Sequence, residues 1–316
     1  MKSLLSPILL LLLPIAPGSA TLAQGMTEVS LATATPGGGF PVYGDAFAAV
    51  INETDPTLLV QTRNTKGSAE NIPLLENDRV DLALVQGEAA HEAFAGIGRK
   101  PANMRIVAAM YSSPGFFVVR KDSTYRGITD LRGQPVAFGA RGSGLVILAR
   151  YVLDGIGLDR DRDFKVILLD RAGDGPAMVR DGRAAALWGG GAGWPGFTDL
   201  MKDGNARLIA PSADEIRRIL AKHDFLKPIT LPAGAYPHQN EPMQSVGSWS
   251  YVAARSSLPD ETAYRIARAL HRGEAELARR LPQARETSAA NTAAAARADL
   301  LHPGVARYLR EAGLLK

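Results

Sequence analysis

Thr65-Lys66-Gly67-Ser68-Ala69-Glu70-Asn71, followed by Val80-Asp81-Leu82-Ala83-Leu84-Val85-Gln86, is the stretch that decides the fold. Leu58 to Thr62 ahead of it is a short apolar run of strand type. Ser68 is a natural N-cap with Asn71 near the third helical position, so a helix is predicted over Ser68 to Glu76. Val80 to Gln86 is again an apolar run of strand length. A strand, a glycine loop, a helix and a second strand imply parallel pairing in a sheet covered on both faces.

The same unit recurs in both directions from this point. Before it, Glu28 to Ala34 is a strand, a glycine turn follows, and Val42 to Asn52 has Phe47, Val50 and Ile51 at helical spacing. After it come a helix at Glu88 to Phe94 and strands at Arg105 to Tyr111 and Phe116 to Arg120. A second series then starts: strand Pro135 to Gly139, helix Gly144 to Gly155, strand Lys165 to Leu169, helix Asp174 to Asp181, strand Ala184 to Trp188. Pro232 to Pro242 is rich in Pro, Gly and polar residues and predicts an irregular surface crossing. Val246 to Ala253 is a returning strand, and the chain is helical from Asp260. Two lobes follow: residues 24–120 with 246–316 form the first, and 121–245 the second.

The 316 residues are 46% apolar and 22% charged, which are globular values. Met1 to Ala23 has Lys2, the apolar run Ile8 to Leu13 and small residues from Gly18 to Ala23, the pattern of a cleaved secretory signal. No other segment has the apolar length of a membrane span, so the mature chain is expected not to span a membrane. The chain has no Cys, which excludes disulfides, thiolate chemistry and a lipid-bearing cysteine. A formal charge of +4, less Lys2 with the signal, is no nucleic-acid footprint. Arg265, Arg268, Arg272, Arg279 and Arg280 recur at helical spacing and predict a solvated face.

In open α/β sheets ligands lie beyond the carboxyl ends of strands, where loops enter helix N-termini. Three loops of this chain carry glycine and hydroxyl groups there: Thr35-Pro36-Gly37-Gly38-Gly39, Thr65 to Asn71, and Gly139-Ala140-Arg141-Gly142-Ser143-Gly144. Their backbone N–H groups suit an anion, with Lys66 and Arg141 as cationic partners. No phosphate loop, GxGxxG continuation, GxSxG elbow or HExxH is present. Glu88, His91 and Glu92 on one helix face fit an exposed surface rather than a metal site, so neither metal nor cofactor is expected.

Gly37-Gly38-Gly39 with Tyr43-Gly44, the Thr65 to Gln86 stretch, Gly142-Ser143-Gly144, Pro232 to Pro237 and His302 to Tyr308 occur in an order that resembles the TAXI family. These are solute-binding subunits of tripartite ATP-independent periplasmic (TRAP) transporters. The resemblance implies a type II-like periplasmic binding protein fold, with a hinge and a ligand cleft between the lobes. It implies a small carboxylate or amino-acid ligand, a TRAP-type permease as partner, and no enzymatic activity. The implied ligand residues are Thr35, Gly38, Gly39, Phe40 and Tyr43 from the first loop, and Thr65, Lys66, Gly67, Ser68 and Asn71 from the second. Gln86 and Glu88, then Arg141, Gly142, Ser143 and Gly144, and finally Trp188 and Gly190 complete the set. A periplasmic sensor that presents its bound form to a signalling receptor fits the same residues, and a hydrolase using Glu88 or His91 lacks the motifs that such chemistry needs.

Overall fold

The computed structural model describes residues 25–316, so the expected export signal lies outside the described residues. Two five-stranded sheets organise the chain. The first contains β1 (Thr27–Ala32), β2 (Leu58–Arg63), β3 (Leu82–Val85), β4 (Met104–Ser112) and β12 (Trp249–Arg255), in the order β2-β1-β3-β12-β4. The second contains β5 (Gly115–Arg120), β6 (Pro135–Ala140), β7 (Lys165–Leu169), β8 (Ala186–Gly190) and β9 (Ala206–Ile209), in the order β7-β6-β8-β5-β9. The strands β10 (Lys227–Leu231) and β11 (Met243–Gly247) pair antiparallel beside the second sheet.

The expectation of largely parallel sheets holds for the β1-β2-β3 and β6-β7-β8 sets. Each sheet also contains one reversed strand in the same place. β12 runs antiparallel to β3 and β4, and β5 antiparallel to β8 and β9. These are the strands by which the chain has just changed sheets. The pairing of β5 corrects the boundary expected at 120–121: Gly115–Arg120 already belongs to the second sheet. Pro114 marks the break, since it has no N–H to continue the ladder from β4. The chain returns between β11 and β12 at Ser248. The two crossings lie side by side, with the Ser113 N–H donating to the Ser248 carbonyl at 3.0 Å.

The core of the first lobe forms where α1 (Gly39–Thr54) and the long helix Asp260–Arg280 lay apolar faces on the sheet. Phe47, Val50 and Ile51 from α1 meet Ile266 and Leu270, all at 2% exposure or less. Arg272, Arg279 and Arg280 lie on a solvated face as expected, while Arg265 and Arg268 are half-buried. Arg265 holds the Asp55 carboxylate with two nitrogens, each at 3.0 Å, and Arg280 pairs with Glu53 and Glu276, so these residues tie the helix to the end of α1. In the second lobe Phe117, Phe138, Phe164 and Trp188 pack in tilted and edge-to-face pairs between the sheet and α4 (Gly144–Gly155). Among the described residues no helix is long and apolar enough to cross a membrane.

Candidate functional site

Two loops that leave the carboxyl ends of strands in the first lobe meet such loops of the second. The loop after β1 meets the loop after β7: Ala172 N–H donates to Thr35 Oγ1 at 3.1 Å, and Gly173 N–H to the Pro36 carbonyl at 3.3 Å. The loop after β2 meets the loop after β6, where Ala69 N–H donates to the Gly142 carbonyl at 3.1 Å. The lobes are closed on each other through backbone.

Glycine permits this approach. A methyl group at Gly142 would lie 2.6 Å from the Lys66 carbonyl oxygen, and one at Gly37 would lie 2.5 Å from Gly173 Cα. Gly67 has φ +105 as well, a region that L side chains rarely adopt, and its neighbour across the gap is Gly142. A side chain at Gly144 would overlap Gln86. Away from the loops, the His91 ring stacks on Phe225 at 3.8 Å between centroids. Glu92 accepts from Tyr151 at 2.9 Å and pairs with Arg150.

The closed loops border a partly open cavity in which the centre of a water-sized sphere can move through about 50 Å³. One water needs roughly 10–15 Å³ on this measure, so there is room for a few heavy atoms. Of the residues expected to bind ligand, Thr35, Gly38, Gly39, Phe40, Lys66, Gly67 and Ser68 line it from the first two loops. Gln86, Ser143, Gly144, Trp188 and Gly190 line it from the others. Six do not line it. Tyr43 is in the core of the first lobe, hydrogen-bonded to Thr287 at 3.2 Å, with burial pushing its phenol pKa up. Thr65 and Asn71 bond to each other at 2.7 Å, and Asn71 Nδ2 donates to the Thr33 and Leu84 carbonyls. They hold the loop in shape from behind. Arg141 is exposed, Gly142 serves lobe contact, and Glu88 is buried toward the crossing.

Sequence reasoning passed over Tyr111, Ser113, Leu145, Ala172 and Trp194, which also line the cavity. The carboxyl-end rule reaches most of them, because β4 ends beside Tyr111 and Ala172 follows β7. Trp194 needed tertiary information. Its turn is held by Tyr236, whose hydroxyl accepts from Trp194 N–H at 3.1 Å and donates to the Gly191 carbonyl. That brings the indole Cδ1 edge to Gly39 of the opposite lobe.

The donors in the cavity have few protein acceptors. The first-turn N–H groups of Gly39 and Phe40 in α1, Ser68 in α2 (Ser68–Glu76) and Gly144 in α4 have no intrahelical acceptor and find none elsewhere among the described residues. Gln86 is committed on two sides: its N–H donates to Ser68 Oγ at 3.0 Å, and its Oε1 accepts from Ser250 at 3.3 Å. Its buried Nε2 makes no full hydrogen bond, though the Gln86 side chain is near enough to the Glu88 carboxyl to help lower that group's pKa against the effect of burial. An orphaned buried donor costs on the order of 1–3 kcal/mol, which an acceptor in the cavity would recover.

Glu88 opens α3 (Gly87–Ala95) and is fully buried. Ser248, at the return crossing, donates to its Oε1 at 2.7 Å, while Oε2 is unpartnered. Burial pushes the carboxyl up to about 7. Among the described residues no cluster of His, Asp or Glu has metal-binding arrangement.

A two-lobed α/β protein closed over a small donor-lined cavity is the class that this geometry defines. Three solved structures share the fold. A periplasmic transporter protein aligns at TM-score 0.57 and 13% identity, over 84% of this chain and 89% of that one. A Bordetella bronchiseptica RB50 protein aligns at 0.54 and 16%, over 91% and 82%. An R. palustris protein with adipate aligns at 0.54 and 16%, over 80% and 87%. The NMT1-like family profile matches residues 31–313, and the chain belongs to that family.

Two outcomes are expected. Gly142→Val overpacks the lobe contact, a change that costs about 1–3 kcal/mol, so calorimetry should find ligand binding weakened about 10- to 100-fold while circular dichroism is unchanged. Wild-type affinity in this variant would place the site elsewhere. For Glu88, the folded pKa of about 7 stands above the ordinary 4.5, so the folded state holds the extra proton between those values. Stability should therefore fall as pH rises from about 4.5 through 7, by roughly 3 kcal/mol at most, and Glu88→Gln should remove this slope. Urea melts at pH 5 and 8 that fall in parallel for both proteins would contradict it.

Proposed function

We propose that the protein is an exported, periplasmic solute-binding protein that captures a small organic anion between its lobes and presents the closed form to a membrane transporter. The observation that carries this reading is a small interlobe cavity at which three helix N-termini present free N–H groups, with Gln86, whose Nε2 has no hydrogen-bond partner, among the residues that line it. Donors and positive helix ends together favour an anionic acceptor. Lys66 at the cavity wall adds the one cationic side chain among the lining residues.

The family membership supports a binding role rather than catalysis. The order of motifs resembling TAXI proteins supports a TRAP-type permease as the receiving partner. The R. palustris protein of the same fold was solved with adipate, a carboxylate. Closure through backbone contacts gives a permease a surface that exists only in the ligand-bound state, which is how a binding protein signals occupancy.

A thermal-shift screen of carboxylates and sulfonates on the exported protein tests this. A ligand at a hundred times its dissociation constant adds about 2.7 kcal/mol, which raises the melting temperature by several degrees. Gln86→Leu should abolish the shift while leaving the unliganded melt close to wild type. The absence of a shift from any anion at millimolar concentration would count against the reading.

A further inference from the structure

Among the residues that line the cavity there is no Asp or Glu. The acidic groups near it in sequence point elsewhere. Glu70 accepts from the Lys66 backbone N–H at 2.7 Å, and Glu88 turns toward Ser248 at the crossing. The polar side chains among the lining residues are the Gln86 amide, the Lys66 ammonium and the hydroxyls of Thr35, Ser68, Tyr111, Ser113 and Ser143. The cavity can therefore solvate an anion but offers no counter-charge to a cation.

Aromatic rings offer the other way to hold an ammonium group, by their faces. Here the faces of the two lining tryptophans are covered. The Trp188 ring packs beside Gly115 and Leu148, tilted against Phe117 at 4.7 Å between centroids. Trp194 lies against Gly189 and Gly196 and turns its Cδ1 edge to Gly39. A ring edge carries the positive end of the quadrupole, so it favours an anion and disfavours an ammonium.

We infer that the ligand is an organic anion with a compact apolar body and no free ammonium group, so that the protein selects deaminated carboxylates over the matching amino acids. This rests on the anion-binding reading above and narrows it. An α-ammonium brought into this cavity loses its water and meets hydroxyl oxygens but no carboxylate to balance its charge, a penalty that an anion of the same skeleton escapes. Lys66 and the three helix N-termini would add repulsion.

Calorimetry on the exported protein with matched pairs tests the inference: propionate against L-alanine, 4-methylpentanoate against L-leucine, and glutarate against L-glutamate, with choline as a bare ammonium probe. In every pair that binds, the deaminated acid should bind at least about tenfold tighter, and choline should not bind. A pair in which the amino acid comes within tenfold of its partner, or binds better, overturns the inference and leaves anion capture standing. Choline binding overturns it in favour of a ring cage. Failure of all three acids, and of the sulfonate ethanesulfonate run beside them, removes anion capture itself and the inference with it.

Discussion

The approach of backbone to backbone across the cleft is the constraint on which the site depends. Gly67 and Gly142 meet where a β-carbon on either would press on the other's chain, and on the next pair of loops a β-carbon at Gly37 would press on Gly173. At these points two interlobe hydrogen bonds run main chain to main chain, Gly173 to Pro36 and Ala69 to Gly142, and a third runs from the Ala172 N–H to the Thr35 hydroxyl. The same closeness shrinks the space between the lobes to a few heavy atoms and brings the first turns of α1, α2 and α4 around it. A larger residue at the contact would enlarge the cavity and separate the donors together.

Closure needs a hinge whose two crossings move as one, and their geometry provides it. Ser113 and Ser248 are joined main chain to main chain, and Ser113 Oγ lies 3.3 Å from Ser250 Oγ. Ser250 in turn donates to Gln86, so the residue with the orphaned donor is fixed to the crossing. Glu88, two residues further on, grips Ser248 from the opposite side. The candidate site and the crossings thus share one hydrogen-bonded chain, through which a ligand in the cavity would bear on the angle between the lobes.

Much of the architecture was legible because buried strands leave apolar runs and helices leave caps. β1, β2, β6, β7 and the helix Ser68–Glu76 lie close to where their patterns put them. The four residues of β9 leave too short a run to recognise, although the helix Ala213–Lys222 beyond it begins with a readable capping box of Ser212 and Glu215. The sequence places Gly115–Arg120 in the first lobe, whereas β5 pairs in the second sheet, and Pro114 is the local mark of the break. In the site, glycine loops at strand ends were visible but their purpose was not. Sequence does not distinguish a hydroxyl aimed at ligand, such as Ser68, from one that ties its own loop, such as Thr65. Nor does it show that Gly142 exists to let Lys66 come close.

Distance between the lobes is the quantity that decides the account. With single cysteines introduced at the exposed positions Asp45 in the first lobe and Lys202 in the second, the otherwise Cys-free chain takes two spin labels. Pulsed dipolar spectroscopy with and without a bound anion then reads the lobe separation. The account predicts a distance that shortens and narrows in distribution when the anion binds, and a Gly142→Val background in which it stays long. A separation unchanged by saturating ligand, or equal closure in the valine background, would contradict it.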